Sequence, residues 1–342
     1  MKINVFKQNN IEQKVSTILN RNLQEVPSLE TKERIQQIEI GIAAIKDDNL
    51  QIHDSAAVHK AEDNGIIQSV LFKSHHADYI DHIRTSSDTI REGELVIDSS
   101  IAEPGVDQDT PLTAGIYDSA IAAFGTAVKA AIELGNAPGS VNYALCRPPG
   151  HHAGPAWAGG YCYFNNAVGA ALALQERGHG RVGLLDLDFH YGNGSAAILQ
   201  EKPDIFYGSI HGNTIDNFPF QPTEPLGPQQ VLISYQDTPT EREYLESLVQ
   251  LLSKAMGFGC TALVISMGYD IIQGDHHGTW DLPTSIYLEV GKLLEEASVP
   301  ICIVQEGGYF TDKLSECSRN LIQGINKSHN ERMSRVESYQ IR

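Results

Sequence analysis

Apolar residues recur at helical spacing along much of the first hundred positions. ETKERIQQIEIGIAAI (30–45) sets its isoleucines on one face, and HHADYIDHIRT (75–85) continues in the same style. The pattern predicts a mainly helical start, with about the first sixty residues forming a helical or irregular outer layer. SAIAAFGTAVKAAIELG (119–135) reads as a further helix, its last Gly suited to a C-cap. After it, the period changes. VNYALC, RVGLLDLDF, DIFYGSI, ALVISMGYD and PICIVQEGGY are short apolar runs that read as buried parallel strands. NNAVGAALALQERG, REYLESLVQLLSKAMG and SIYLEVGKLLEEA supply helices between them. That alternation predicts an α/β fold, a multi-stranded parallel sheet flanked by helices, with its site at the carboxyl ends of the strands.

No Pro/Ser/Gly-rich or charge-run linker divides the 342 residues, and no internal repeat is visible, so residues 1–342 are expected to form a single domain. The last dozen or so residues read as a mobile tail. With 41% hydrophobic and 20% charged residues the chain can bury a sizeable core. A net charge of −18 argues against nucleic acid and favours cationic ligands. The N-terminus lacks an apolar signal-type region, and no run of about twenty apolar residues occurs, so no membrane association is expected and the location reads as cytoplasmic. Five cysteines without a CxxC pair point to buried fillers rather than disulfides or a thiolate zinc site.

Four of the strand candidates end in chemically unusual groups: Arg147-Pro-Pro-Gly-His151-His152, Asp186-Leu-Asp188-Phe-His190, Tyr269-Asp270 and Glu306-Gly-Gly-Tyr309. Their convergence on one pocket is the central expectation. Asp188, His190 and Asp270 would make a three-ligand Asp₂His set with a position open for water, the catalytic rather than structural arrangement. Zn²⁺ is the default ion, and Fe²⁺ suits the same donors. Taken alone, DxDxH also fits a polar strand end that caps a helix. His151 and His152 are candidate acid–base groups, with Asp186 and Asn193 available to orient them. Tyr309 could donate a hydrogen bond to an oxyanion, or could be a packed aromatic.

Taken together, ALCRPPGHHAG, GGYCYFNNAV, DTPLTAGIYDSA, DLDFHYGNGS, SIHG, MGYD and EGGY resemble the histone deacetylase superfamily, and most of all its bacterial acetylpolyamine amidohydrolases and class II-like deacetylases. The resemblance implies an arginase/deacetylase-like fold and zinc-dependent hydrolysis of an acetylated amine. It makes Asp188, His190 and Asp270 the ligands of one zinc, His152 the general base and acid, and Tyr309 the donor to the tetrahedral oxyanion. His151, facing Asp186, would stabilise charge. Asn193 stands where class I members carry Asp. The resemblance also implies a structural K⁺ at Asp186, Ser209 and the carbonyls of Asp188, His190 and Ile210. Gly160, Tyr161 and Phe218 would line an acyl-amine tunnel, and Asp109 matches a rim aspartate that binds peptide amides. Asp109 followed by Thr-Pro also fits a plain helix cap.

Two departures bear on substrate choice. His277 stands near a rim position where a polyamine-selective relative has a glutamate gate, and Tyr191 replaces a histidine common after the ligand histidine. The implied partners are a small cationic acetylated amine or an acetyl-lysine peptide, and the resemblance allows a homodimer. Other acylated small molecules, a non-catalytic acetyl-amine binder and a binuclear manganese ureohydrolase are the competing readings. The last needs ligands for a second metal, which the sequence does not display.

Overall fold

In the computed structural model the described residues are 2–8, 17–19, 25–46, 49–54, 61–102 and 110–340. Eight parallel strands form one sheet in the order β4-β1-β5-β10-β9-β6-β7-β8. They are β1 (Ile3–Lys7), β4 (Leu50–Asp54), β5 (Val141–Leu145), β6 (Val182–Asp186), β7 (Ile205–Gly212), β8 (Gln230–Tyr235), β9 (Ala262–Met267) and β10 (Ile301–Gln305). A small antiparallel pair, β2 (Thr17–Leu19) and β3 (Glu25–Pro27), stands apart from it.

Side-chain alternation along the strands builds two cores. Phe6, Ala144, Leu184, Val264 and Val304 pack on one face with α2 (Ala61–Ser74), α3 (Ala77–Thr89), α4 (Ile116–Ile132) and α5 (Asn166–Glu176). Val5, Leu145, Leu185, Ile265 and Ile303 pack on the other face with α1 (Lys32–Ala43), α7 (Glu241–Phe258), α8 (Ile286–Glu296) and α9 (Thr311–Gln340). The short α6 (Asn193–Leu199) follows β6. Local signals agree with these bounds. Asn165 caps α5 by accepting from Val168, Thr240 and Glu243 form a reciprocal capping box on α7, and Gly259 ends α7 in the left-handed region. All five cysteines are free and buried. Among the described residues, no helix is long and apolar enough to cross a membrane.

The five expected strands and the expected helices are present, and the sheet is parallel throughout. Two readings need correction. The N-terminal segment is not simply an outer layer, because β1 and β4 join the main sheet. β1 is short and carries Asn4, whose amide is held by Asn142 at 2.9 Å, while β4 is a half-exposed edge with no apolar run. The opposite edge, β8, adds a strand beyond the five expected, although its Val231–Ile233 run is apolar. α4 begins at Ile116 and stops at Ile132, before Gly135, with Glu133 as its cap. α9 runs as helix to Gln340, and Arg332 on it pairs with the buried Glu295 at 2.6 Å.

Candidate active site

Four adjacent central strands, β5, β10, β9 and β6, release their loops at one end of the sheet. Those loops carry His151 and His152, Tyr309, Asp270, and Asp188 with His190, respectively, so the expected convergence is what topology delivers. The pocket above them is lined by both histidines, Asp188, His190, Tyr309, Gly160, Tyr161, Phe218 and His277, together with Pro149 and Gly307.

Asp188, His190 and Asp270 each bring one ligand atom within 4.8 Å of the other two. His190 Nδ1 lies 3.1 Å from Asp188 Oδ1 and 3.2 Å from Asp270 Oδ2. Backbone amides orient the carboxylates: Gly307 donates to Asp188 Oδ2 and Phe189 to Asp270 Oδ1, each at 2.9 Å. Both carboxylates are fully buried. Burial and the charge of Asp188 push Asp270 up to about 7. Burial acts on Asp188 the same way, but His151 and His190 outweigh it and hold Asp188 below the usual carboxylate range. Paired buried carboxylates with an imidazole make a donor set that fits a divalent cation. Glycine is required beside them, since a Cβ at Gly307 would stand 2.6 Å from Asp270 Oδ2 and 2.7 Å from Asp188 Oδ2.

The two histidine rings lie 3.9 Å apart, tilted, and both are buried. Their partners drive them in opposite directions. His151 Nδ1 is 3.1 Å from Asp186 Oδ2. Burial alone would lower His151, yet Asp188 and Asp186 outweigh it and raise its pKa to about 10. His152 Nδ1 instead meets the amide oxygen of Asn193 at 2.7 Å. Burial, His151 and His190 press His152 well below the ordinary imidazole value. The carboxylates beside His151 therefore favour its protonated form, while the surroundings of His152 favour the neutral one. Because Asn193 Oδ1 can only accept, the proton of neutral His152 sits on Nδ1 and leaves Nε2 as the acceptor.

Tyr309 is gripped from several sides. Arg34 lies over its ring at 4.5 Å, the His277 ring meets it edge-on at 4.5 Å, and Asp275 Oδ2 accepts its N–H at 2.6 Å. Arg34 also donates to the carbonyls of Gly308 and, at 2.9 Å, Glu306. Glu30 pairs with both Arg34 at 2.8 Å and Arg147 at 2.9 Å. Burial keeps the phenol far above its usual range, so it remains a hydroxyl donor.

Gly160 adopts φ +54°, and a Cβ there would stand 2.3 Å from His152 Cδ2. Phe218 packs its ring 4.5 Å from His152. The Tyr161 hydroxyl is 3.1 Å from His277 Nε2. Burial lowers His277, which lines the pocket, to about 4. Tyr191 is buried with its ring 4.9 Å from His211, a packing role its sequence position did not reveal. Asp186 and Ser209 are register partners on β6 and β7, and the Ser209 hydroxyl meets His211 Nδ1 at 2.9 Å. Asp109 lies outside the described residues. Arg34 and Asp275 carry no sequence signal of their own. Arg34 sits in an ordinary amphipathic helix, and its burial is decided by the turn after β10.

Comparison with known proteins agrees with this geometry. A family model described as the histone deacetylase domain matches residues 28–325. The chain is similar to the acetylpolyamine amidohydrolase of Mycoplana ramosa, 29% identical over 327 residues covering 88% of this chain and 93% of that protein. It is also similar to acetylpolyamine amidohydrolase 2 of Pseudomonas aeruginosa, 31% identical over 243 residues covering 68% of this chain and 70% of the other. Among solved structures, an acetylpolyamine aminohydrolase from Burkholderia pseudomallei superposes with a TM-score of 0.79 at 25% identity, covering 95% of this chain and 99% of that one.

Proposed function

Since the chain belongs to the histone deacetylase domain family, we propose that it hydrolyses the amide of an acetylated amine to the free amine and acetate, with an acetylpolyamine-type molecule as the substrate class. The observation that carries this reading is the neutral His152 and the hydroxyl of Tyr309 lining one pocket with two members of the Asp188–His190–Asp270 cluster. The names of the relatives, acetylpolyamine amidohydrolases in two bacteria, support the substrate class.

Asp188, His190 and Asp270 are the residues to hold one Zn²⁺, which when bound supplies a Lewis acid that polarises the amide carbonyl and acidifies water. His152 accepts the water proton at Nε2 and returns it to the departing nitrogen, while Asn193 keeps the ring in the required tautomer. His151, held by Asp186, offsets negative charge as the tetrahedral centre forms. The Tyr309 hydroxyl donates to the oxyanion, with Arg34 and Asp275 holding its backbone turn. Phe218, Tyr161 and Gly160 would wall the slender alkyl chain, and His277 would meet it near the rim. A structural K⁺ near Asp186 and Ser209 belongs to the same proposal, as do a homodimer and a cytoplasmic location.

The deciding experiment compares kcat/KM for N-acetylputrescine, N-acetylcadaverine and an acetyl-lysine peptide, using zinc-loaded protein and a chelated control. A preference of about tenfold or more for the small amines, about 1.4 kcal/mol at the transition state, is the expected result. A peptide preference would move the substrate class to acetyl-lysine. Turnover of neither would overturn acetylated amines in favour of other acylated small molecules.

A further inference from the structure

Glu306 is the first residue after β10, and its carboxylate is used by no step of the reaction above, although its side chain is almost wholly buried. Its Oε2 accepts the Gly150 N–H at 2.7 Å and the His151 N–H at 3.2 Å, and its Oε1 accepts the Ser266 hydroxyl at 3.0 Å. Ser266 lies on β9, while Gly150 and His151 lie in the loop after β5; β10 runs between those two strands. One side chain therefore fastens both neighbours of its own strand at the end where the pocket opens.

The backbone of Glu306 is equally fixed. Its N–H donates to Met267 at 2.9 Å, and its carbonyl accepts from Arg34 at 2.9 Å and from the Gln305 side chain at 3.1 Å. The next residue, Gly307, donates to Asp188 Oδ2. A single turn thus grips the histidine loop with a side chain and the ligand carboxylate with an amide. A buried carboxylate is costly to retain unless donors fill its lone pairs, and here two of the three donors are backbone amides flanking the catalytic pair.

We propose that Glu306 is a positioning residue: by accepting the Gly150 and His151 amides it holds the His151–His152 pair in register with the Asp188–His190–Asp270 cluster. The role requires an acceptor of that length rather than a charge. Glutamine can keep it, its amide oxygen on the two N–H groups and its NH₂ on Ser266 Oγ, whereas alanine cannot and aspartate is one methylene too short.

The test compares zinc-loaded wild type with Glu306→Gln, Glu306→Asp and Glu306→Ala. Side-chain ¹⁵N NMR of His151 and His152 reads their placement directly, and kcat and KM on an acetylated amine read its consequence. Only the kinetic arm rests on the deacetylase reading, so a wild type that turns over no acetylated amine would sink that reading while the NMR arm still decides this one. Expected are displaced histidine resonances in the alanine and aspartate variants, kcat down about tenfold or more with KM within about twofold, and recovery in the glutamine variant to within about threefold of wild type. Should the alanine variant fail to fold, the aspartate variant carries the same expectation. Unmoved histidine resonances in a folded, metal-bound alanine or aspartate variant would overturn the proposal, as would a glutamine variant no better than aspartate.

Discussion

His152 Nδ1 is hydrogen-bonded to the amide oxygen of Asn193 at 2.7 Å, whereas its neighbour His151 faces a carboxylate, Asp186, at 3.1 Å. The different partners contribute to opposite protonation preferences in two adjacent imidazoles, alongside burial and the charge of Asp188, and the proposed division of labour rests on that contrast.

Asn193→Asp should undo that difference. A carboxylate at Nδ1 favours the imidazolium, so the pKa of His152, now well below its ordinary value, rises. The base is active only when neutral, so the acid limb of the kcat/KM profile should move to higher pH, by about one unit or more. A pH–rate comparison of the two proteins checks this, and an unmoved limb would remove His152 from the base role.

Tyr309→Phe removes only a hydroxyl from a ring held by Arg34, His277 and Asp275. Loss of an oxyanion donor should lower kcat by roughly 10²–10³-fold with little change in KM. Steady-state kinetics beside an unchanged thermal midpoint would separate this from misfolding.

Gly307→Ala should act on metal affinity rather than on the histidines. Its Cβ would press within 2.7 Å of both ligand carboxylates, so they must part. Zinc content after dialysis should fall, and with it turnover. Full zinc occupancy in the variant would contradict the ligand assignment.

Zinc should also be visible as stability. Asp188 and Asp270 are buried together, so a cation between them binds the folded state selectively. Metal-stripped protein should melt lower, and zinc at about a thousand times its dissociation constant should restore about 4 kcal/mol. Calorimetry with and without chelator measures this independently of any substrate.

How far the sequence could be read follows from where its information is local. The strands of the sheet's centre are buried on both faces, so β5, β6, β9 and β10 stand out as apolar runs, and the groups that end them are conspicuous. The edges are different. β4 and β8 are only half covered, and their signals, the alternation of LQIH and the VLI run, are shorter than the apolar runs of the centre. The same divide runs through the site. His151, His152, Asp188, His190 and Asp270 announce themselves by type and position, whereas Arg34 is more than 270 positions from the turn it grips, and no local pattern encodes such a pairing.

The placement of β10 gives the order of synthesis an importance that the finished fold conceals. Strands β4, β1 and β5 form one block, and β9, β6, β7 and β8 form another; within the sheet of described residues β10, the last of these eight in chain order, joins them. The cation-binding cluster belongs to the second block, with Asp188 and His190 after β6 and Asp270 after β9, while the two histidines belong to the first. A nascent chain can therefore bring Asp188, His190 and Asp270 together before Tyr309 arrives to complete the proposed site. Long-range parallel pairing of this kind is slow to form and exposes strand edges meanwhile. Arrest of translation shortly before residue 301 would leave two half-sheets, each with a bare inner edge, linked near the site by the bonds of His151 to Asp186 and of His152 to Asn193.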